Sequence, residues 1–466
     1  MATTTRIVHP RAASARRVRV CVCTGAIVPQ LPCSSVDPAA PVDVLPELEW
    51  RGLLYQVTDR DALARLLAAE PVTVYAGFDP SQPSLQVGNL LQLCTLRRFQ
   101  EAGHRPIVLA GGGTGMIGDP GGKTAERALL TGEELQANLT AVRGQLERFV
   151  DLSGGRGLLV DNREWLGELR VLDFLRDVGK HFTVNQMVAK ESVKSRFEGR
   201  EQGISYTEFS YMLLQAYDFL YLRDAYGCRL QFGGSDQWGN ITMGVELIRK
   251  LRDVQAFGLT SPLVLNADGT KLGKTETGTV WLDPDRTSPY QLYQFFVRTD
   301  DAMVTSYLRY FTWLDHDRIR ELDQATVDHP ERREAQQVLA KEVTALVHGD
   351  RDAGAAVRAA RVLFGDGELA ELDEGLFRDV FGDAPSATRP RADLDGAGLP
   401  VVELATDGGL EPSRSAARRD IRGGALHLNA TMVTDEDHRV TRADLFHDRW
   451  VVLRRGKHSY LVVEFA

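Results

Sequence analysis

The chain has 466 residues, of which 43% are hydrophobic and 26% are charged. This composition is typical of a soluble globular protein and excludes a collagen-like or wholly disordered chain, while the length predicts about three domains. The net charge of −9 argues against a general nucleic-acid binder. No apolar run approaches the length of about 18 residues that a membrane-spanning helix needs.

The first 45 residues differ in composition from the rest. Residues 1–36 contain five arginines and no acidic residue, and they hold three of the five cysteines. We expect residues 1–45 to be a disordered N-terminal extension, because the segment lacks the apolar residues that a core needs. An organelle transit peptide and an upstream start are the alternatives. The odd cysteine count in so long a chain favours a reducing compartment, which we take to be the cytoplasm.

From residue 46 onward the pattern becomes that of an α/β protein. Strands that alternate with helices predict a doubly wound parallel sheet. The ligands of such sheets bind at the carboxyl ends of the strands, so the loops directly after strands are the first candidates for a site. The predicted elements are a strand at 72–78, a helix at 88–102, a strand at 106–110, a helix at 206–222, a strand at 228–232 and a helix at 238–251.

Three further regions follow this α/β domain, which we place at residues 46–285. Residues 286–382 carry helical patterns and no good strand, which predicts a helical domain. Residues 383–400 are rich in proline, glycine and aspartate, a composition that predicts a linker. Residues 401–466 have the pattern of a small α+β unit.

The first candidate site segment runs from Tyr75 to Leu90. A predicted strand ends there, a turn follows, and a helix begins near Gly88. The N-terminus of a helix offers free N–H groups and a positive dipole that suit phosphate, and a glycine lets a flat ring approach the backbone. Gln86 and Asn89 are neutral amides that could bond phosphate or ribose. Alone, the segment also fits a plain strand-to-helix turn.

A glycine-rich loop at 111–122 follows the next predicted strand. It is not a Walker A loop, because Asp119 and Pro120 separate Gly118 from Lys123. An acidic side chain inside a glycine loop argues against phosphate at that point and for a cation, such as an ammonium group. The alternative is a flexible surface loop.

Tyr211, Gln215 and Asp218 lie on one face of the predicted helix at 206–222, because their spacing is i, i+4 and i+7. Hydrogen-bonding side chains on a largely apolar helix are costly to bury without partners. They therefore either satisfy one another or line a polar pocket. The apolar residues around them favour the pocket.

Two later segments complete the set. Residues 233–240 (GGSDQWGN) follow a predicted strand and precede a helix, and Asp236 and Gln237 there could hold hydroxyl groups. Residues 271–275 (KLGKT) carry two lysines that could clamp a polyphosphate. The alternative for these lysines is charge exposed to solvent, which is the usual fate of lysine.

Together, and in this order, the five segments resemble the bacterial tyrosyl-tRNA synthetases, of the class I aminoacyl-tRNA synthetases. The resemblance covers the chain from about residue 46 to its end. It implies a Rossmann-like catalytic domain, a helical domain on the anticodon side and a small α+β RNA-binding domain. The stretches that carry the resemblance are GFDPSQPSL, GHRPIVLAGG, IGDPGGK, TEFSYMLLQAYDFL, GGSDQWGNIT and KLGKTETGTVWL.

The resemblance implies a tyrosine–tRNA ligase. Such an enzyme activates tyrosine with ATP, which is accompanied by Mg²⁺, and transfers the tyrosine to the 3′ end of tRNA(Tyr). The resemblance also implies a homodimer without a prosthetic group or a resident metal.

Roles for single residues follow from the same resemblance. The groups matched to tyrosine are Tyr75 and Asp218 at the phenol, Asp119, Tyr211 and Gln215 at the ammonium, Gln237 near the carboxylate, and Asn162 as a neighbour of this pocket. The groups matched to ATP are Gly77, Asp79, Gly88, Gly234, Asp236 and Lys274. The groups matched to the catalytic phosphate displacement are Gln86, Asn89, Lys271, Lys274 and Thr275, with Lys123 and Arg127 as a second basic pair.

In the C-terminal unit the resemblance implies an arginine-bearing helix that contacts RNA phosphates. Its arginines are Arg414, Arg418, Arg419 and Arg422. The alternative is a solvated amphipathic helix. The Asn-Gly turn usual in this RNA-binding fold is Asn429-Ala430 here, so the turn could be altered.

Gln86 is the main departure from the family, whose phosphate-binding signature usually begins with histidine. A neutral amide can donate a hydrogen bond to phosphate but cannot carry the charge of histidine. Asn89, at the last position of the signature, keeps a donor. The departure leaves open a second hypothesis, a catalytically altered paralogue that acts as a specialised, resistant or regulatory RNA-binding protein.

Overall fold

The computed structural model describes residues 41–119, 130–190, 193–194, 204–275, 278–364, 369–382, 384–456 and 459–466. Within these ranges no helix is long and apolar enough to cross a membrane. Most of the predicted N-terminal extension lies outside them, as do Lys123 and Arg127.

Residues 41–45 belong to the folded part of the chain, so the predicted boundary of the extension is wrong there. Val42 N donates to Ala102 O at 3.0 Å, and His104 Nε2 lies 3.0 Å from Val42 O. Val44 and Leu45 are buried in the main core. The sequence could not show this, because the partners of these residues are distant in the chain.

A six-stranded sheet forms the centre of the first domain, as far as the chain is described. Across the sheet the order is β1-β6-β5-β2-β3-β4, and neighbours are parallel except that β1 is antiparallel to β6. This confirms the predicted doubly wound α/β fold. The strands are β1 (Gln56–Val57), β2 (Thr73–Phe78), β3 (Arg105–Ala110), β4 (Leu158–Asp161), β5 (Leu230–Gly234) and β6 (Phe257–Ser261), and β7 (Lys274–Thr275) and β8 (Gly278–Thr279) form a separate pair.

Helices cover both faces of this sheet. They are α1 (Leu45–Trp50), α2 (Arg60–Ala69), α3 (Leu90–Glu101), α4 (Gly132–Phe149), α5 (Arg163–Leu166), α6 (Val171–Asp177), α7 (Val184–Val188), α8 (Tyr206–Tyr226) and α9 (Trp238–Arg252). Successive side chains of a strand point to opposite faces. Val74, Ala76 and Phe78 of β2 therefore share a core with α3, whereas Tyr75 shares the second core with α8.

Local signals explain where α8 and β5 begin and end. Ser205 caps α8 by accepting a hydrogen bond from Glu208 N, and Gly227 ends the helix in the left-handed conformation, with φ of +67°. The predicted strand at 228–232 begins two residues later, at Leu230. The reason is that Cys228 N still donates to Leu222 O and so closes the end of α8.

The region from 289 to 381 is helical in its described parts, as predicted. Its helices are α10 (Pro289–Val297), α11 (Asp301–Phe311), α12 (His316–Asp328), α13 (Glu334–His348), α14 (Asp350–Phe364) and α15 (Glu374–Phe381). Ser288, Asp300 and Asp315 accept N-cap hydrogen bonds at the starts of α10, α11 and α12. The apolar faces of this region join the core beneath the six-stranded sheet.

The C-terminal unit is α+β, with a five-stranded sheet among its described residues. The sheet order is β12-β11-β14-β15-β9, and a short pair joins β10 to β13. The elements are β9 (Ser386–Arg389), β10 (Leu399–Pro400), α16 (Val401–Asp407), α17 (Arg414–Arg422), β11 (Leu426–Leu428), β12 (Thr431–Met432), β13 (Arg439–Val440), β14 (Trp450–Arg455) and β15 (Ser459–Phe465).

The predicted linker at 383–400 is wrong over its described part, because this segment supplies strands. Ser386–Arg389 pairs in parallel with β15, and Leu399–Pro400 pairs with β13. Leu394 between them is buried in the core of the C-terminal unit. The turn-forming residues of this segment therefore belong to irregular structure at the edge of the C-terminal domain, and the segment is not an unstructured linker.

The turn between β11 and β12 keeps an unusual backbone. Asn429 and Ala430 both have positive φ, 48° and 74°, as expected of a tight hairpin turn.

A side chain in the left-handed region costs about 1–2 kcal/mol. We expect Ala430→Gly to stabilise the C-terminal unit by about 1 kcal/mol, seen as slower amide exchange in β11 and a higher unfolding temperature. Ala137→Gly in the exposed middle of α4 should instead destabilise, and equal effects of both changes would contradict the argument.

Candidate active site

A cavity of about 360 Å³ opens at the carboxyl end of the sheet, where the strand order reverses between β2 and β5. This is the place where doubly wound sheets bind ligands. It brings together twelve of the predicted residues, from segments far apart in the sequence. They are Tyr75, Gly77, Asp79, Gln86, Asn89, Asp119, Tyr211, Gln215, Asp218, Asp236, Gln237 and Lys271.

Tyr75 and Asp218 are almost fully buried, with 1% of each residue exposed. Asp218 accepts hydrogen bonds from Asn162 Nδ2 at 2.9 Å and from Trp165 Nε1 at 2.7 Å. Burial raises the pKa of Asp218 to about 8, although these two hydrogen bonds act in the opposite direction. Burial and the charge of Asp218 also raise the pKa of Tyr75.

The Tyr75 hydroxyl has no hydrogen-bond partner among the described residues. Gln231 stands opposite Tyr75 in the register of β2 and β5, and its Oε1 is likewise buried without a partner in that part of the chain. Unpaired buried polar atoms are costly. This wall of the cavity therefore suits a ligand that brings its own hydroxyl.

Gln231 and Trp165 are pocket residues that the sequence analysis missed. Gln231 lies within a predicted strand, and a side chain at such a position is ordinarily assigned to the hydrophobic core. The sequence feature that could have identified it as a pocket residue is the single amide in the otherwise apolar end of the run RLQFGG. Trp165 lies on the short helix α5, and nothing near it in the sequence points to Asp218, 53 residues away.

A chain of hydrogen bonds connects Asp218 to Tyr211. Asn162 Nδ2 donates to Asp218 and to Thr114 Oγ1, which lies 2.9 Å away. Thr114 donates to Asp79 Oδ1 at 2.8 Å, and the Tyr211 hydroxyl donates to Asp79 Oδ2 at 2.8 Å. We call these five residues the pocket relay. Asn162 lies behind the cavity wall rather than in it, and it orients Asp218.

The glycine-rich loop is shaped to reach this relay. Gly113 N donates to Asn162 Oδ1 at 2.7 Å, and Gly112 N donates to Asp161 Oδ1 at 3.1 Å. A Cβ atom on Gly112 would lie only 2.3 Å from Asp161 Oδ1. The loop therefore needs glycine for close approach, which the sequence had not distinguished from simple flexibility.

A cluster of side-chain amides orients the polar groups at the start of α9. Gln237 Nε2 donates to Asp119 Oδ2 at 2.6 Å. Asn240 Nδ2 donates to Gln215 Oε1 at 3.0 Å and to Gln237 Oε1 at 3.2 Å. Asn240 thus fixes the orientation of both glutamine amides, and each amide oxygen can still accept a hydrogen bond through its second lone pair while each NH₂ group can donate. The sequence analysis included Asn240 in its segment but gave it no role.

The start of α3 has the predicted strand-to-helix geometry. Residues 87–89 form a single 3₁₀ turn before α3 begins at Leu90. Gln86 N donates to Asn89 Oδ1 at 3.0 Å, and Asn89 N donates to Gln86 O at 2.8 Å. The amide oxygen of Asn89 is therefore used locally, which leaves its NH₂ group as the donor at this helix start.

The lysine-bearing segment packs directly against this turn. Gly273 has φ of +84° and its backbone lies close to Val87 and Gly88. Val87 N donates to Val280 O at 3.1 Å, which ties the two segments together. Lys271 extends into the cavity, with Nζ 3.6 Å from Asp236 Oδ2.

Two of the predicted glycines, Gly88 and Gly234, are not part of the cavity lining. A Cβ atom on Gly234 would be 2.8 Å from Asp236 Oδ1, so a side chain there would displace the Asp236 carboxylate from its present position. Gly88 faces the backbone of Leu272. The backbone of Lys274 and Thr275 forms β7, which pairs with β8.

Residues 67–365 match the family model for class I tRNA synthetases of the tryptophan and tyrosine type, and residues 377–463 match that of the tyrosine–tRNA ligase C-terminal domain. A tyrosine–tRNA ligase of Roseiflexus castenholzii is 54% identical over 425 residues, covering 91% of this chain and 99% of that one. One of Bacillus caldotenax is 51% identical over 428 residues, covering 91% and 100%. The chain belongs to the class I tyrosine–tRNA ligases.

A solved structure agrees with this assignment. The C-terminally truncated mitochondrial tyrosyl-tRNA synthetase of Aspergillus nidulans is 34% identical, with a TM-score of 0.62, and the match covers 69% of this chain and 94% of that one. The family, the fold class and the enzymatic function predicted from the sequence are therefore confirmed. The roles of individual residues in this tyrosine–tRNA ligase are taken up next.

Proposed function

We propose that the cavity binds tyrosine and ATP, and that the enzyme forms tyrosyl-adenylate there before it transfers tyrosine to tRNA(Tyr). The observation that carries this proposal is the buried wall of Tyr75, Asp218 and Gln231. It offers an oriented carboxylate, and a hydroxyl and an amide oxygen that have no partner in the part of the chain that the structure describes. A phenolic hydroxyl satisfies such a wall, and phenylalanine does not.

The other groups of tyrosine have partners of the right chemistry. Asp119, Tyr211 and Gln215 would surround its ammonium group, since a carboxylate, a hydroxyl and an amide can all accept hydrogen bonds from it. Gln237, which is anchored by Asn240, would donate to the carboxylate. The relay holds Tyr211 through Asp79, so in this proposal Asp79 also positions the ammonium end.

In the first step a tyrosine carboxylate oxygen attacks the α-phosphate of ATP in line, and pyrophosphate leaves. In the second step a ribose hydroxyl at the 3′ end of tRNA attacks the acyl carbon, and AMP leaves. Neither step needs a protein nucleophile, because positioning and charge stabilisation supply the catalysis.

ATP enters as its Mg²⁺ complex. Lys271, Lys274 and Thr275 would hold the pyrophosphate, with Lys123 and Arg127 as a second basic pair. Gln86 and Asn89 would donate to phosphate at the start of α3. Gly77, Gly88, Gly234 and Asp236 would contact the nucleoside.

Tyrosine-dependent exchange of pyrophosphate into ATP tests the first step, and charging of tRNA(Tyr) tests the second. We expect both activities from the full chain. Charging depends on the adenylate made in the first step, and absence of exchange with tyrosine would refute the proposed function. It would favour the second candidate, an altered RNA-binding paralogue, for which Gln86 is the supporting observation.

Gln86→His is expected to raise the rate of adenylate formation by about tenfold, because a charged donor bonds phosphate more strongly than an amide. The gain should shrink as the pH rises through about 6.5, where histidine loses its proton. Stopped-flow kinetics measure the rate of adenylate formation at each pH. Gln136→His on the exposed face of α4 serves as the control. An unchanged rate at low pH would show that the amide already suffices.

We further propose that α17 contacts the tRNA. Each of its four arginines exposes more than half of its side chain. Three of their ion pairs are long, at 3.4 Å for Arg414 with Glu403 and 3.8 Å for Arg418 with Glu436 and Arg419 with Asp420, whereas Arg422 pairs with Glu436 at 2.8 Å. Exposed pairs of this kind are weak, so RNA phosphates can replace the carboxylates.

A homodimer in the cytoplasm completes the proposal. On α6, Val171 and Leu172 expose 71% and 79% of their surface, and Val184 on the neighbouring α7 is also exposed. We propose that these exposed aliphatic side chains lie in the contact between the two chains, since a symmetric pair is the commonest assembly. Sedimentation of Leu172→Glu beside the unaltered chain would test the assignment.

A further inference from the structure

The loop that connects β2 to the start of α3 forms one wall of the cavity. It begins after Phe78 and leads into residues 86–89, which we call the phosphate turn. The cavity-lining residues of this stretch are Asp79, Ser81, Gln82, Ser84, Leu85 and Gln86. Buried backbone groups in an irregular segment need hydrogen-bond partners from elsewhere in the chain. The partners of this loop therefore decide where the phosphate turn lies.

Helix α4 supplies two buried amides to this loop. Asn138 and Gln145 are seven residues apart, so they lie on one face of α4, and each exposes 9% of its surface. Val142 between them lines the cavity. Asn138 Nδ2 donates to Pro80 O at 3.1 Å, near the beginning of the loop. Buried amides are costly unless they are hydrogen-bonded, so this face of α4 and the loop satisfy each other.

Gln145 binds both backbone groups of Leu85, at the end of the loop. Its Oε1 accepts a hydrogen bond from Leu85 N at 2.8 Å. Its Nε2 donates to Ser84 Oγ at 3.1 Å, and Ser84 Oγ donates in turn to Leu85 O at 2.8 Å. We call Gln145, Ser84 and Leu85 the turn clamp. Because Leu85 directly precedes Gln86, the turn clamp fixes the backbone at the entrance to the phosphate turn.

The same backbone is held on its other side by the segment that follows the lysines. Leu282 N donates to Leu85 O at 2.9 Å, and Gln86 forms an antiparallel bridge with Trp281. A movement of Leu85 would therefore change the position of Gln86 relative to the lysine-bearing segment, which packs against the phosphate turn at Gly273.

We propose that Gln145 is a positioning residue for the phosphate groups of ATP. It acts through Leu85 and keeps the phosphate turn aligned with the lysine-bearing segment. This inference rests on the proposed function, since that function assigns the phosphates of ATP to these two segments. Attack on a bound phosphate depends on alignment, so a small displacement of the turn slows the reaction. The tyrosine end has its own supports, because Asn162 and Trp165 hold Asp218.

Gln145→Leu in the full chain removes both hydrogen-bonding groups and keeps a side chain of similar size. We expect it to raise KM for ATP in pyrophosphate exchange and to slow single-turnover adenylate formation, each by about tenfold. The affinity for tyrosine, measured by equilibrium dialysis, should stay within about twofold, since its pocket is held separately. Ser84→Ala breaks only the link to Leu85 O, so it should give about threefold effects in the same direction.

Gln136→Leu is the matched control, because it makes the same replacement on the exposed face of α4. It should leave KM for ATP and the adenylate rate within about twofold. Ser84→Ala decides the question if Gln145→Leu does not fold, as thermal unfolding of each variant shows.

Unchanged KM for ATP and an unchanged adenylate rate in the folded clamp variants would overturn the proposal. An equal loss of affinity for tyrosine would also overturn it, because that result indicates general damage to the cavity. Absence of pyrophosphate exchange in the unaltered chain would instead refute the proposed function, and it is observed before any variant is made.

Discussion

Asp218→Ala should remove most of the discrimination between tyrosine and phenylalanine. Asn162 and Trp165 hold the buried carboxylate in place, and we expect it to accept a further hydrogen bond from the phenol of tyrosine, which phenylalanine cannot supply. Tyrosyl-tRNA synthetases are themselves the reference case for this effect, at about 10⁵. We expect the ratio of kcat/KM values in pyrophosphate exchange to fall by at least about two orders of magnitude, mainly through loss of activity with tyrosine.

Trp165→Phe provides a graded comparison. It removes one of the two hydrogen bonds to Asp218 but keeps the carboxylate, so it should reduce discrimination by only about tenfold. Thermal unfolding of both variants separates a change in specificity from a loss of fold. Unchanged discrimination in Asp218→Ala would refute the phenol-binding role, whatever the stability.

Lys271→Ala should slow adenylate formation by about 10²–10³-fold while the binding of tyrosine stays the same. The side chain extends into the cavity beside Asp236, and loss of a group that stabilises developing phosphate charge typically has this size of effect. The measurement is single-turnover adenylate formation, with tyrosine binding followed separately by equilibrium dialysis.

Lys341→Ala is the control for Lys271, since it removes the same charge from an exposed site on α13. It should leave the rate within about twofold. A rate near that of the unaltered enzyme for Lys271→Ala would exclude Lys271 from the reaction. A parallel loss of tyrosine affinity would indicate that the change disturbs the pocket rather than the chemistry.

The stripe of Tyr211, Gln215 and Asp218 shows what helical periodicity can predict. All three line the cavity, as their spacing indicated. Their partners were not predictable in the same way, because Asp79 is 132 residues from Tyr211 and Asn162 is 56 residues from Asp218. Periodicity fixes which residues share a face, but only the packing of the sheet decides what that face meets.

The errors have the same origin. Residues 384–400 have the composition of a linker, yet their strands form by pairing with β13 and β15, about 40 and 76 residues further on. Gln231 was missed because a strand position reveals burial and not the presence of a ligand. The resemblance to a family supplied the site roles that neither pattern could provide, and those on Lys123 and Arg127 lie outside the described residues.

The pocket relay couples two parts of the cavity that recognise different groups in our proposal. Asp218, which we propose to contact the phenol, and Tyr211, which we propose to contact the ammonium group, are linked through Asn162, Thr114 and Asp79. We therefore expect a substitution at one end to shift the hydrogen bonds of the other, so that recognition of the two ends of tyrosine is not independent.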